Sequence, residues 1–125
     1  MTIEQIQKNA SYLFYCKDNY LKGIRPGDPN SKNKDGYKNL LEIAELYFES
    51  NLLDTFAGYL IEGHYLVQLW TAHLILEHGQ PDDKLKERCL DEIRNYARDN
   101  PLAPDVSIQE RIWLENYLKT KRYHQ

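Results

Sequence analysis

The residues best suited to chemistry in this sequence are three histidines and a glutamate between positions 64 and 78. His73 and Glu77 are four residues apart, so on a helix they share one face and could act as an acid–base pair or as two metal ligands. His78 and His64 lie five and nine residues from His73, which turns both away from that face at about 100° per residue. The order His-Glu-x-x-His of zinc proteases is absent. A structural His73–Glu77 pair is therefore favoured, and a small metal-dependent hydrolase that uses both residues is kept as the weaker hypothesis.

The cysteines and serines carry no catalytic signature. Cys16 and Cys89 lie far apart, in segments that look helical and partly buried, which favours two reduced thiols over a disulfide. Neither Gly-x-Ser-x-Gly nor a glycine-rich phosphate loop ending in Gly-Lys-Ser/Thr occurs. The sequence thus predicts no catalytic residue, no metal and no cofactor, and we expect a protein that is not an enzyme.

Acidic side chains are concentrated in the middle of the chain. Residues 37–83 hold one lysine and eight carboxylates, a net charge of −7, whereas residues 1–36 and 84–125 each carry +2. An acidic surface repels nucleic acid phosphates and attracts a basic protein. We therefore expect a protein partner and no nucleic acid.

Three of these carboxylates are spaced to share a helix face. Glu42, Glu45 and Glu49 stand at i, i+3 and i+7, an arc of roughly 60° opposite the apolar face of their helix. A solvated face is the ordinary interpretation, but like charges at this spacing repel one another and only Lys38 lies nearby. The predicted partner-binding residues are the carboxylates of this acidic region: Glu42, Glu45, Glu49, Asp54, Glu62, Asp82 and Asp83.

Helical periodicity runs through the whole chain, and no alternating strand pattern interrupts it. Two capping boxes are predicted, Thr2 with Gln5 and Ser107 with Glu110, and Asn51 is a candidate helix cap. Glycine and proline make residues 22–36 a long, flexible loop, and residues 119–125 read as a flexible tail. We predict one all-α domain over residues 1–125, with about six helices in antiparallel pairs, near 3–20, 37–50, 52–61, 64–78, 82–98 and 108–119.

Composition supports a soluble globular chain. Apolar residues make up 42% and charged residues 28% of the sequence, which is ordinary for a domain with one core. The N-terminus lacks the pattern of a secretory signal, and no apolar run approaches the roughly 20 residues of a membrane span. We expect a cytoplasmic protein without membrane contact. Ten tyrosines against three phenylalanines suit surfaces that become buried on binding.

The stretch from Asn51 to Gly79 resembles one helical pair of the HEAT or armadillo kind. Its second helix reads LVQLWTAHLILEHG, and this valine, small and apolar residues, leucine pair and final glycine are similar to the inner helix of such repeats. Glu62 and Gly63 stand where those repeats have proline and aspartate. Residues 82–118 offer a second pair, so the resemblance implies a HEAT/armadillo-like helical stack.

The whole chain is similar in size, helical pattern, acidic middle and tyrosine content to small bacterial immunity proteins of the contact-dependent growth inhibition type. That resemblance implies a cytoplasmic inhibitor that binds a toxin domain and blocks its active site. A basic nuclease would suit an acidic, tyrosine-bearing surface. The alternative is a helical adaptor or oligomeric scaffold without a toxin partner, and the sequence alone leaves the oligomeric state open.

Overall fold

This computed structural model describes residues 2–98 and 103–123, with side chains up to residue 120. Within those residues the chain folds into seven α-helices, whose apolar side chains recur at helical spacing. No β-strand occurs in those residues, so the predicted all-α fold class is confirmed. Two short 3-10 helices, Pro29–Asn33 and Gly58–Ile61, link longer elements. The α-helices are α1 (Ile3–Lys8), α2 (Ser11–Leu21), α3 (Asp35–Glu49), α4 (Leu53–Ala57), α5 (Val67–His78), α6 (Asp83–Ala97) and α7 (Pro104–Tyr123).

Helix α5 is the centre of the core. Eight of its twelve residues are buried, as expected for a helix that is apolar around most of its circumference. It contacts α6, α3 and α4, while α2 packs on α3 and α6 packs on α7. The helices thus pack in contacting pairs, and a HEAT-like superhelical stack stays a prediction. None of the described helices is both long and apolar enough to cross a bilayer.

The first predicted helix is two helices in the structure. Thr2 and Gln5 form the predicted capping box, but the chain breaks after Asn9, where Ala10 has a left-handed φ of 51°. On one continuous helix Ile6 and Tyr12 would point about 120° apart. The break lets both side chains enter the core, where they are 1% and 0% exposed.

The loop predicted over residues 22–36 contains a short 3-10 helix, Pro29–Asn33, and several buried residues. Ile24, Pro26 and Ser31 are buried, and Asp28 caps the 3-10 helix by accepting a hydrogen bond from the Asn30 amide at 3.0 Å. Gly27 is also buried, and it lies so close to α7 that a Cβ there would overlap the Glu110 carboxylate. Proline and glycine end the preceding helix as predicted, yet the loop packs tightly against α7.

Helix α7 begins at Pro104, four residues before the predicted start, and proline suits a first helical position. The predicted Ser107–Glu110 capping box is therefore not formed. Ser107 lies inside the helix and donates to the Arg98 carbonyl at 2.8 Å. The helix continues to Tyr123. Residues 124–125 lie outside the described part, and the flexibility predicted for residues 119–125 stays a prediction.

Two other predicted helix starts shift because of left-handed residues. Asn51 has a φ of 59° and Leu52 occupies the cap position of α4, so Asn51 does not cap that helix. Tyr65 and Leu66, with φ of 52° and 60°, delay the start of α5 to Val67. Gly79 ends α5 as predicted, and Asp82 caps α6 through a hydrogen bond from the Leu85 amide at 2.8 Å.

Candidate functional site

The histidine singled out for possible chemistry is sealed in the core. His73 Nε2 lies 2.5 Å from Glu110 Oε1, and the two side chains are 2% and 1% exposed. The Trp113 ring packs edge-on against His73 at a centroid distance of 4.4 Å. The predicted His73–Glu77 pair is therefore wrong: α7 supplies the partner carboxylate. A side-chain pair enclosed in this way has no surface on which to meet a substrate.

Glu77 is engaged by other parts of the fold. Trp113 Nε1 donates to Glu77 Oε1 at 3.0 Å, and the Tyr37 hydroxyl donates to Glu77 Oε2 at 3.3 Å. Lys32 Nζ approaches Oε1 at 3.6 Å. Burial, together with the charge of Glu77, raises the pKa of Tyr37. This carboxylate therefore ties loop 22–36, α3 and α7 to the end of α5.

The remaining candidates for chemistry are also buried or dispersed. Cys16 and Cys89 are free and buried, as predicted. Burial raises the pKa of Cys89 to about 12 and shifts the pKa of Cys16 upward as well, so both thiols are poor nucleophiles at neutral pH. Within residues 2–98 and 103–123, no three His, Cys, Asp or Glu side chains come together in a way that could hold a metal ion.

Six of the seven predicted partner-binding carboxylates are exposed. Glu42, Glu45 and Glu49 are exposed on α3, Asp54 is exposed in the first turn of α4, and Asp82 and Asp83 are exposed at the start of α6. Glu62 is half-buried and lies 3.9 Å from His64. In the part that the structure describes, none of these seven carboxylates forms an ion pair with a lysine or arginine.

Three of the seven lie on one groove. Two adjoining hollows, of about 530 and 450 Å³, share Leu53, Asp54 and Gln80 between the end of α3, α4 and the turn from α5 to α6. Glu49, Asp54 and Asp82 line this acidic groove, as we call it. Its apolar wall consists of Phe48, Leu53, Ala57 and Leu85, and Lys84 and Arg88 stand at its far end.

The other four carboxylates do not join the groove. Glu42 faces a small crevice beside Ile6 and Asn39, on the side of α3 toward α1. Glu62 borders a different, largely apolar groove of about 390 Å³ that contains Leu13 and Phe14. Glu45 and Asp83 are exposed and line neither hollow of the acidic groove. The seven carboxylates thus do not share one groove, and their role in binding stays a prediction.

The sequence missed a second exposed surface, at the other end of α5. Phe14 and Ile61 are 64% and 78% exposed, and Tyr20 and Tyr65 are 42% and 39% exposed. Helical spacing alone would put Tyr20 on the same stripe as Leu13, and Ile61 beside Leu60, but both side chains are exposed at the end of their helices. The abundance of tyrosine was the only sequence signal for this surface.

Three other tyrosines belong to the interior. Tyr12, Tyr37 and Tyr47 are buried, and Tyr12 packs against Phe56 and Tyr59 at ring distances of 4.9 and 4.6 Å. No tyrosine lines the acidic groove among the described residues. The acidic and the tyrosine-bearing surfaces are therefore two separate regions.

No protein-family model, curated protein or solved structure matches this chain.

Proposed function

We propose that this protein is an immunity protein that neutralises a toxin domain, a basic nuclease, by seating the acidic groove on the toxin's positive surface. The observation that carries the proposal is the set of exposed, unpaired carboxylates Glu49, Asp54 and Asp82 along one groove. Complementary charge of this kind speeds association and selects the partner.

The groove offers more than charge. Phe48, Leu53 and Leu85 form an apolar wall between the carboxylates, and an apolar contact that excludes water strengthens the charged hydrogen bonds around it. Because these carboxylates have no cationic partner within the described chain, a lysine or arginine from the toxin would not have to displace one. An arginine, which pairs with a carboxylate through two parallel hydrogen bonds, fits best.

Inhibition by this route requires no catalytic group in the inhibitor. A nuclease binds the phosphates of its substrate through positive side chains, and covering them blocks access. The engaged positions of His73 and Glu77 agree with a structural role for both residues. The alternative, a helical adaptor without a toxin partner, would use the same groove for another basic protein.

The test is rescue of growth by co-expression with the product of the gene immediately upstream, which the proposal predicts to contain a toxin domain. We expect the unchanged chain to protect. A variant carrying Glu49→Gln, Asp54→Asn and Asp82→Asn should lose protection, since asparagine retains the helix cap at position 82 but not the charge.

The matched control is Glu4→Gln, Asp91→Asn and Glu115→Gln. It also removes three negative charges, but from exposed positions on α1, α6 and α7. This control should protect fully. If the unchanged chain gives no protection, the toxin assignment fails and the adaptor alternative is favoured. If both triple variants protect equally, the acidic groove is not the binding surface.

A further inference from the structure

A separate cleft of about 510 Å³ lies between α2, the segment before α5 and the first turn of α7. Three aromatic rings, those of Tyr20, Tyr65 and Tyr96, line it together with the guanidinium of Arg25. We call it the tyrosine cleft. Its volume falls within the roughly 300–1,000 Å³ of small-molecule sites. It shares no residue with the acidic groove, which lies at the opposite end of α5.

Arg25 brings a positive charge to this cleft, and Asp105 brings a negative one. Its guanidinium stacks over the Tyr20 ring at 4.9 Å, and Nη1 donates to the Tyr20 carbonyl at 3.1 Å. Nε is buried without a hydrogen-bond partner, and Arg25 forms no ion pair with any carboxylate of the described chain. A guanidinium held flat against a ring is suited to pair with a carboxylate or phosphate through its outer nitrogens.

The backbone that positions the Tyr65 ring is strained. Tyr65 and Leu66 are consecutive non-glycine residues with left-handed φ values of 52° and 60°, a conformation that side chains with a Cβ rarely adopt. This backbone places the Tyr65 ring edge-to-face against Tyr20 at 5.5 Å. Strain of this kind tends to be retained where a side chain must be positioned for a ligand.

The other polar groups in the cleft narrow the ligand class. The Tyr96 hydroxyl donates to Gln68 Oε1 at 3.3 Å and the Ser107 hydroxyl donates to the Arg98 carbonyl at 2.8 Å. These two hydroxyls are therefore already engaged within the protein. Asp105 is the carboxylate on the lining, and it favours a hydrogen-bond donor on the ligand, away from the anionic group.

We propose that the tyrosine cleft binds a small ligand that combines a flat aromatic ring with an anionic group, of about the size of a nucleoside monophosphate. The ring stacks on Tyr20 and Tyr65, and the anion pairs with Arg25. This site is independent of the proposed inhibition of a toxin, because its residues lie outside the acidic groove.

Isothermal titration of the full chain tests the proposal with four probes. Adenosine monophosphate and phenyl phosphate carry both a ring and an anion, whereas adenosine carries only the ring and inorganic phosphate only the anion. We expect at least one of the first two to bind about tenfold more tightly than either single-feature probe, since stacking and charge each contribute. The proposal is overturned if neither ring-bearing phosphate binds at millimolar concentration, or if inorganic phosphate binds as tightly.

Two substitutions separate binding from folding. Arg25→Gln removes the charge, and Tyr65→Asn removes the ring while placing a residue that tolerates the left-handed conformation. Each should weaken binding of the ring-bearing phosphate by about tenfold or more and leave the helical circular dichroism unchanged. Lys22→Gln, which removes an exposed cation that pairs with Asp18 outside the cleft, is the control and should bind as the unchanged chain does. Unchanged affinity in both Arg25→Gln and Tyr65→Asn would overturn the assignment.

Discussion

Carboxylates occupy two contrasting settings in this molecule. Glu110 and Glu77 are 1% and 15% exposed, and protein donors from other elements engage both of them. Glu49, Asp54 and Asp82 are exposed along the acidic groove and have no cationic partner in the described chain. The same chemical group is thus buried and engaged across helices in one region, and in the other it is exposed, with a local cap bond at Asp82. Changes in the two regions should separate stability from binding.

The largest expected effect is on the buried pair. Glu110→Ala leaves His73 in the core without its partner, and breaking a buried pair in this way costs about 3–5 kcal/mol. Denaturant unfolding followed by circular dichroism would measure the loss. Glu110→Gln, which keeps an acceptor for a neutral imidazole, is the control and should lose less. A loss below about 1 kcal/mol for Glu110→Ala would show that the pair adds little to the fold.

A smaller loss is expected at Glu77. Glu77→Ala removes the acceptor for Trp113 Nε1, whereas the Tyr37 hydroxyl keeps His78 Nε2 as a partner at 3.0 Å. An unsatisfied buried donor costs about 1–3 kcal/mol. Unfolding free energy gives the size of the effect, and tryptophan fluorescence reports any rearrangement around Trp113. Glu77→Gln, which retains an acceptor, should recover part of the loss. Equal stability of Glu77→Ala and the unchanged chain would contradict the structural role assigned to this residue.

Ala10→Gly should increase the unfolding free energy, in contrast to the two glutamate substitutions. Ala10 is exposed and left-handed, with a φ of 51°, and glycine adopts this backbone without a Cβ clash. Ala10→Gly should therefore raise the unfolding free energy by up to about 1 kcal/mol, even though glycine adds freedom to the unfolded chain. Thermal melting would detect the change, and Ala103→Gly, which changes a partly buried alanine elsewhere, serves as the comparison. Destabilisation by Ala10→Gly would argue against strain at the α1–α2 break.

The smallest effect on folding is expected at the acidic surface. Reversal of Glu42, Glu45 and Glu49 to lysine removes no core contact, so each change should alter stability by no more than about 0.5 kcal/mol. Binding to a basic partner should slow at low salt, with a smaller effect at high salt because screening grows. Stopped-flow or surface-binding kinetics would show both. Because only Glu49 lines the groove, the single change Glu49→Lys should account for most of the slowing, and equal contributions from all three would favour the whole α3 face instead.

Local signals predicted some elements well. Helix α6 was expected over residues 82–98 and spans Asp83–Ala97, because Asp82 caps it and its apolar stripe is complete within the segment. Helix α3 was expected over residues 37–50 and spans Asp35–Glu49 for the same reason. The exposure of Glu42, Glu45 and Glu49 also followed from spacing along one helix.

Other features depended on distant contacts. Ser107 and Glu110 have capping-box spacing, but Glu110 instead reaches His73, which is 37 residues away in sequence. The burial of Gly27 and the order of loop 22–36 likewise require α7 as a neighbour. The convergence of Glu49, Asp54 and Asp82 on one groove depends on how α3, α4 and α6 meet.

The sequence by itself determined the helical class, most helix centres and the acidic character of the middle region, because periodicity, capping and charge act within a few residues. The tertiary structure alone decided which carboxylates are buried, which are exposed together and where the rings of Tyr20 and Tyr65 point. These properties depend on side chains brought together from different helices. A partner from a distant helix can satisfy a buried group better than the local pattern does, as His73 does for Glu110.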